Sequence, residues 1–203
     1  MPQFHRKTAP GVRDGRVRKK NNWKKTPNCY NTPQSTPVID RERPGSGYRH
    51  IVKPRDIERF ISLIPDWQDL SRGLNVILLG RGRSGRDGWY NSSGVIGLCA
   101  WPVEMVSSLD GDWFSAHHDL LTRLGVETWT DEEGEPVCRW TPSSVRAYLL
   151  LHVFLHELGH HRDRMTTRSR RECSRGEPYA EQAAWDFEEL IWERYCDEFG
   201  MLG

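Results

Sequence analysis

A long helix-compatible segment in the last third of the chain restricts the fold more than any other feature. Thr141 and Pro142 suit the N-cap and first-turn positions of a helix, and the helical pattern continues to near Arg164. Its apolar run, Ala147 to Leu155, ends directly at the pentapeptide His156-Glu157-Leu158-Gly159-His160. We expect this segment to form the central helix of the domain, with a polar site towards its C-terminal end.

Length and composition indicate a single soluble domain. At 203 residues the chain has room for one well-buried core, and its mean hydropathy of −0.72 is that of a polar protein. The run from Ala147 to Leu155 is far shorter than the roughly 20 residues that cross a bilayer. The N-terminus lacks the apolar core of a secretory signal. We therefore expect a cytoplasmic protein without a membrane segment.

The cysteines point to neither a disulfide framework nor a cysteine-based zinc ribbon. The chain has 5 cysteines, an odd number, and no two are spaced as C-x-x-C. We expect reduced thiols at Cys29, Cys99, Cys138, Cys173 and Cys196.

Charge divides the chain into a basic N-terminal part and an acidic remainder. Residues 1–50 hold 12 Lys and Arg against 3 Asp and Glu, whereas residues 51–203 hold 17 against 25. Residues 1–47 also lack a sustained apolar period, so we interpret them as a disordered basic tail and residues 48–203 as the domain. Such a tail suits contact with nucleic acid or an acidic partner.

Local patterns predict the elements that surround the central helix. Apolar residues at helical or strand spacing, bounded by Gly and Pro, are the signals used. They predict a helix at 54–63, strands at Leu74–Leu79 and Gly94–Trp101, a loop at 81–88, a short helix at 116–124, a turn or hairpin at 131–136, and a second long helix that includes Ala180 and ends at Gly200.

The pentapeptide matches H-E-x-x-H on a helix, a pattern typical of catalytic zinc sites. Because His156 and His160 are four residues apart, both imidazoles lie on one helix face and can bind one Zn²⁺. Glu157 is rotated by about 100° from His156, near the ion without being needed as a ligand. It is therefore the candidate catalytic base, accepting a proton from water that zinc has acidified.

A catalytic zinc site needs a third protein ligand. No histidine follows His161, and Asp163 and Thr166 stand where the extended metzincin signature requires Gly and His. A carboxylate on the second long helix is therefore favoured.

Three glutamates of that helix, Glu177, Glu181 and Glu188, share a face. Glu181 is the favoured third ligand, because it lies 21 residues beyond His160, enough for a turn and an antiparallel return. Glu177 is the alternative. His117, His118 and Cys173 are further alternatives.

Three other residues near the motif receive more limited interpretations. His152 lies one turn before His156 but too far along the axis to share the same ion, so a core or supporting role is favoured. His161 is turned away from the metal face and is expected at the surface or at the helix C-terminus. Tyr179 is a candidate hydrogen-bond donor to the oxyanion of an attacked carbonyl, with ordinary packing as the alternative.

These motifs resemble those of the gluzincin-like metallopeptidases, particularly the compact ImmA/IrrE type. In that family a helix with H-E-L-G-H is followed by a helix with E-x-x-A-x-x-F, matched here by 156–160 and by Glu181 to Phe187. The resemblance implies an α+β zincin fold with a small mixed sheet, the motif helix beneath it, and a C-terminal helix that supplies the third ligand.

The resemblance also implies a function, hydrolysis of a peptide or protein substrate by zinc-activated water. It further implies that an extended peptide aligns along an edge strand, for which Gly94–Trp101 is the candidate. The alternative is a catalytically retired zinc-binding module whose basic tail contacts nucleic acid or an acidic partner. Glu157 separates the two, because a purely structural zinc site has no need of a carboxylate at that position.

Overall fold

The computed structural model describes residues 27–167 and 174–200, together with the backbone of two short strands near the N-terminus. In this part of the chain the protein is a mixed α+β structure with small sheets. The helices are α1 (Pro54–Ile61), α2 (Trp67–Leu70), α3 (Gly111–Arg123), α4 (Pro142–Ala147), α5 (Leu155–Thr166) and α6 (Gly176–Phe199), with a π-helical segment at Tyr148–Phe154.

The strands are short and form several small sheets. They are β1 (Gly11–Arg13), β2 (Arg16–Arg18), β3 (Val38–Arg41), β4 (Tyr48–Arg49), β5 (Val76–Gly80), β6 (Gly88–Asn91), β7 (Val95–Cys99), β8 (Trp101–Pro102), β9 (Val106–Ser108), β10 (Glu127–Thr130) and β11 (Pro136–Arg139). The largest sheet has the order β3-β5-β7-β6, with β6 antiparallel and the other pairs parallel. The predicted small mixed sheet is therefore present.

Strand β3 lies inside the range that the sequence assigned to a disordered tail. It pairs in parallel with β5 from Val38↔Val76 to Arg41↔Leu79. The segment before it is also attached to the sheet, since Tyr30 donates a hydrogen bond to Asp40 at 2.6 Å. The tail prediction is wrong for this segment, so the folded domain starts before residue 48. Residues 1–10, 14, 15 and 19–26 of the predicted tail lie outside the described residues.

The two predicted strands are confirmed as β5 and β7, but β7 is not an edge strand. It lies between β5 and β6, and both of its edges are hydrogen-bonded. The five residues of β7 are fully buried, which explains their continuous apolar sequence. The prediction that Gly94–Trp101 is the exposed edge is therefore wrong. Strand β6, which the sequence placed partly in the loop at 81–88, occupies the edge next to the central helix.

The central helix is confirmed as a continuous run formed by α4, the π-helical segment and α5. Thr141 caps it, because its hydroxyl accepts a hydrogen bond from Ser144 N–H at 3.1 Å. Every residue of the π-helical segment is buried, and all of them except His152 belong to the main apolar core. The middle of the central helix is therefore fixed by the core, and the polar residues of the motif at 156–160 follow directly after this buried part.

The long helix α6 returns antiparallel to α5 and packs against it through small residues. A Cβ atom added at Gly159 would lie 2.8 Å from Ala180 Cα and 2.9 Å from Ala180 O. Only glycine allows the two backbones to approach this closely. The glycine of the H-E-L-G-H motif therefore sets the distance between the two helices that carry the site. No helix in the described part of the chain has the length and apolar character needed to cross a membrane.

Candidate metal centre

The C-terminal half of the central helix presents two histidines to the first turn of α6. His156 and His160 lie on one face of α5. Glu177 reaches both of them, with its Oε2 atom 3.0 Å from His156 Nε2 and 3.4 Å from His160 Nε2. We refer to His156, His160 and Glu177 as the first cluster.

The donor atoms of the first cluster fit a zinc ion. Zinc binds imidazole nitrogen and carboxylate oxygen at about 2.0–2.2 Å, so two ligands of a tetrahedral ion lie roughly 3.3 Å apart. The separations from Glu177 Oε2, 3.0 and 3.4 Å, match this spacing. Three protein ligands are also the number found in catalytic zinc sites.

Glu181 lies one turn further along α6 and contacts the other ring nitrogen of His156. Its Oε2 atom accepts a hydrogen bond from His156 Nδ1–H at 2.9 Å, which directs the lone pair of Nε2 at the first cluster. A carboxylate in this position fixes the tautomer and orientation of a metal-ligating histidine. The sequence favoured Glu181 over Glu177 as third ligand, whereas in the structure it is Glu177 that approaches the Nε2 atoms of both His156 and His160.

The charges around this contact are consistent with an ionised Glu181. Burial alone would raise the pKa of Glu181, but hydrogen bonds with His117 and His156 outweigh it and hold that pKa well below its usual range. Burial likewise works against protonation of His156, yet the bond to Glu181 and the neighbouring carboxylates raise its pKa overall. Burial lowers the pKa of His160.

Glu157 lies beside the first cluster with its carboxyl group directed at strand β6. The residue is 8% exposed, and a Cβ atom added at Gly88 would lie 3.2 Å from Glu157 Oε1. Burial raises the pKa of Glu157 to about 7, opposed by His156 and assisted by Glu177. A divalent cation bound nearby would lower this pKa. The Glu157 carboxyl group therefore lines the same cavity as the first cluster without belonging to it.

Two cavities meet at the first cluster. One, of about 370 Å³, lies between β6 and α5. The other, of about 510 Å³, extends towards α3 and has aromatic walls that include Trp113 and Tyr148. The residues common to both linings are Gly88, His156, Glu157 and Glu177. The candidate metal ligands and the candidate base therefore lie where a long ligand can extend in two directions.

Asp163 fixes the start of α6 against the end of α5. Its side chain is fully buried and accepts hydrogen bonds from Arg175 N–H at 2.7 Å, Arg175 Nε–H at 2.8 Å and Gly176 N–H at 3.2 Å. Burial would raise the pKa of Asp163, but these hydrogen bonds outweigh it and lower that pKa. Glu177 is the next residue after the anchored pair, so Asp163 sets where Glu177 lies.

His161 is fully buried, so the prediction that it lies at the surface is wrong. Its Nδ1 atom accepts a hydrogen bond from Tyr90 O–H at 3.1 Å, and its Nε2–H donates to Arg72 O at 3.0 Å. Burial lowers the pKa of His161 to about 4, which suits a neutral ring with one donor and one acceptor. The residue therefore ties α5 to β6 on the side away from the metal ligands.

Tyr179 does not take the position that an oxyanion donor requires. Its ring lies beneath the Arg175 guanidinium, with 3.7 Å between Arg175 Cζ and the ring centroid. In the described part of the chain, neither cavity that meets the first cluster includes Tyr179 in its lining. The packing alternative is thus the one observed.

The remaining candidate ligands lie away from the first cluster. His117 contacts Glu181, with 3.1 Å between His117 Nε2 and Glu181 Oε1, and His118 is exposed next to Asp119. Cys173 lies outside the described residues. His152 also approaches Glu181, at 3.8 Å, and does not join the first cluster, as its position along the helix predicted.

Sequence reasoning missed several residues that line or support the site. Arg86 lies in a segment interpreted as a flexible loop, yet it lines the cavity with Glu157. Asp87 accepts a hydrogen bond from Tyr148 O–H at 3.1 Å in the wall of the larger cavity. No local pattern marks these residues, because their proximity depends on the path of β6. Asp163 did carry a signal, since an acidic residue near a helix end can cap the next helix.

Comparison of the chain with protein-family models, curated proteins and solved structures finds no significant match.

Proposed function

We propose that the protein is a zinc-dependent metallopeptidase of the zincin type, with His156, His160 and Glu177 as metal ligands. The observation that carries this proposal is the convergence of three donor atoms next to the Glu157 carboxyl group, at the junction of two cavities. A structural zinc site is closed by protein ligands, whereas this one opens on solvent-accessible space. The buried carboxyl group at its side supports catalysis over a purely structural role.

The chemistry follows from the positions of the protein's own groups. Zinc, when bound by the first cluster, polarises a carbonyl oxygen and lowers the pKa of water to about 7. Glu157 accepts a proton from the attacking water and later donates it to the leaving amine. Glu181 holds His156 in the tautomer that presents Nε2 to the ion. Arg86, in the same cavity wall as Glu157, is placed to stabilise negative charge on the attacked carbonyl.

The edge strand β6 supports an extended peptide as the substrate class. One side of β6 pairs with β7, and no described strand covers its other side. The smaller cavity runs between this side and α5. An extended peptide can add to such an edge by main-chain hydrogen bonds, which would hold a peptide bond next to the first cluster. Strand β6 thus takes the role that the sequence analysis gave to Gly94–Trp101.

The larger cavity supports a preference for a bulky substrate side chain. Trp113, Tyr148 and Val153 contribute apolar walls, and its volume of about 510 Å³ exceeds the space that one side chain needs. Apolar walls with a few polar groups are typical of pockets that bind a ligand in a fixed orientation. We expect an aromatic or large aliphatic residue next to the cleaved bond.

Cleavage of a diverse peptide mixture, followed by mass spectrometry, tests the proposed activity. The wild-type protein loaded with zinc should produce cleavage products that a chelator abolishes. Glu157→Gln should lose at least about 100-fold in turnover, since general base catalysis contributes roughly 10²–10⁴-fold, while it keeps its zinc.

The matched control is Glu189→Gln, which makes the same change at an exposed position of α6. It should cleave like the wild type. Turnover in Glu157→Gln equal to that of Glu189→Gln would refute the assigned role of Glu157. Absence of bound zinc in the folded wild type would refute the proposed function as a whole.

A further inference from the structure

A second group of metal-ligating side chains lies next to the first cluster, in the wall of the larger cavity. It consists of His117 on α3, His152 in the π-helical segment and Glu181 on α6, and we refer to it as the second cluster. We propose that the second cluster is a second divalent-cation site that binds zinc. This inference goes beyond the proposed hydrolase activity, which requires one ion only.

The ligand atoms of the second cluster have the spacing of a metal site. Glu181 Oε1 lies 3.1 Å from His117 Nε2 and 3.8 Å from His152 Nε2, and all three atoms lie within 4.8 Å of one another. Ligands of a tetrahedral zinc ion are roughly 3.3 Å apart, so small side-chain movements suffice to close the site around an ion. Two imidazoles and one carboxylate are a donor set suited to zinc.

The contacts of the His117 ring are those of a metal-ligating histidine. Its Nδ1–H donates a hydrogen bond to the carbonyl oxygen of Trp113 at 2.8 Å. Its Nε2 atom, on the opposite side of the ring, lies 3.1 Å from Glu181 Oε1, a separation close to that of two ligands of one zinc ion. Donation of the opposite N–H to a carbonyl is also the usual arrangement of a metal-ligating histidine.

His152 has a buried ring nitrogen that no described residue satisfies. Its side chain is 7% exposed, and its buried Nδ1 atom has no hydrogen-bond partner among the described residues. Buried polar atoms of this kind call for an explanation, since each costs about 1–3 kcal/mol. The π-helical segment, a feature frequent at functional sites, brings the His152 ring to 5.0 Å from the His117 ring. An ion on His152 Nε2 would offset the cost of this arrangement.

Neighbouring aromatic rings orient the second cluster and leave it accessible. Trp113 stacks on His117 with 4.1 Å between ring centroids, and Trp185 packs against both histidines. The three members of the second cluster all line the larger cavity, which provides a route for an ion. Glu181 contacts both clusters, with Oε2 on His156 and Oε1 on His117. The two sites should therefore be coupled through this one carboxylate.

Zinc titration of the metal-free full-length protein, followed by calorimetry and by elemental analysis after dialysis, tests the proposal. The wild type should bind two zinc ions per chain. His117→Ala should bind one, and Glu177→Ala should also bind one, because each variant removes a ligand from a different cluster. His118→Ala, which changes the exposed neighbouring histidine, is the matched control and should bind two.

The outcomes separate the two clusters. One ion per wild-type chain, lost in Glu177→Ala and kept in His117→Ala, overturns the second site and leaves the proposed function standing; His117 and Glu181 would then form a plain ion pair. One ion lost in His117→Ala and kept in Glu177→Ala overturns the proposed function and supports the second cluster as a site. The stoichiometry of the wild type is decisive even if a variant fails to fold, since fewer than two ions contradicts the proposal.

Discussion

The Asp163 carboxylate binds both the backbone and the side chain of Arg175, at 2.7 and 2.8 Å, and so joins the end of α5 to the start of α6. His160 lies three residues before Asp163, and Glu177 lies two residues after Arg175. One buried carboxylate therefore sets the distance between His160 and Glu177, which lie on different helices and are two of the proposed metal ligands. His160 and Glu177 are far apart in the sequence, and the contact between Asp163 and Arg175 brings them together.

Replacing Asp163 should weaken zinc binding as well as the fold. In Asp163→Asn the charge that attracts Arg175 is lost, and one amide NH₂ faces the donors of Arg175 and Gly176. We expect the free energy of unfolding to fall by about 1–3 kcal/mol and zinc affinity to fall about 10–100-fold. Chemical denaturation and competition with a chromophoric chelator measure the two effects.

Asp186→Asn is the control for this substitution. Asp186 is exposed on the same helix and accepts a hydrogen bond from Gln182 at 2.8 Å. Asp186→Asn should leave both the free energy of unfolding and the zinc affinity nearly unchanged, because exposed contacts contribute little to stability. Equal zinc affinity in Asp163→Asn and the wild type would show that Asp163 does not position Glu177.

A larger side chain at Gly159, which contacts Ala180, should also lower both stability and zinc affinity. A methyl group at Gly159 would lie 2.8 Å from Ala180 Cα, so Gly159→Ala must push α6 away from α5. We expect a loss of about 1–3 kcal/mol in the free energy of unfolding, and weaker zinc binding because Glu177 moves with α6. The control is Gly111→Ala on α3, where a methyl group meets open space. Zinc binding unchanged in Gly159→Ala would contradict this account of the helix spacing.

Glu188 should make the stability of the protein decrease as the pH rises. Burial raises its pKa to about 7 from the ordinary 4.5, and Arg123, at 3.2 Å, opposes the rise only in part. Because the folded-state pKa is the higher one, the folded protein binds the proton more tightly. The stabilisation is fully present below about pH 4.5 and is lost as the pH rises through 7, by about 3 kcal/mol in total.

A comparison of Glu188→Gln with the wild type isolates this contribution. Between pH 4.5 and 7 the unfolding free energy of the wild type should fall relative to that of Glu188→Gln, because only the wild type loses this contribution, and Glu189→Gln should follow the wild type. Denaturation with urea across this pH range provides the measurement. Parallel pH profiles for the wild type and Glu188→Gln would show that the pKa of Glu188 is the same in the folded and the unfolded protein.

Peptide binding along β6 should depend on alternate backbone amides of the substrate. Residues of a strand direct their hydrogen-bonding groups to one neighbour and then the other. In a peptide that the protein cleaves, N-methylation of one amide at a time should therefore reduce kcat/KM strongly at every second position. A uniform effect, or none, would argue against strand addition at β6 and for another mode of substrate contact.

The sequence predicted the helices and the motif well because their signals are local. The capping residue Thr141, the apolar run and the pair His156 and His160 are all readable within one segment. Which of Glu177 and Glu181 lies near both histidines is not readable in this way, because it depends on where α6 begins relative to α5. Asp163 and Gly159 determine that placement through contacts made only in the folded chain.

The position of β7 was misjudged for a similar reason. Whether a strand is central or at an edge depends on which strands pair with it. The sequence of Gly94–Trp101 does not show that β5 and β6 pair with β7. The edge strand next to the central helix, β6, has only four residues, Gly88–Asn91. Edge strands are commonly short because this limits aggregation, and a short strand gives a weak signal in the sequence.

Anomalous diffraction at the zinc absorption edge, from crystals of the zinc-loaded protein, tests the central claim most directly. The account predicts a strong peak bound by His156 Nε2, His160 Nε2 and Glu177 at about 2.0–2.2 Å, with Glu157 beside it and not among its ligands. A peak held by Glu181 in place of Glu177, or no peak between the two histidines, would contradict it.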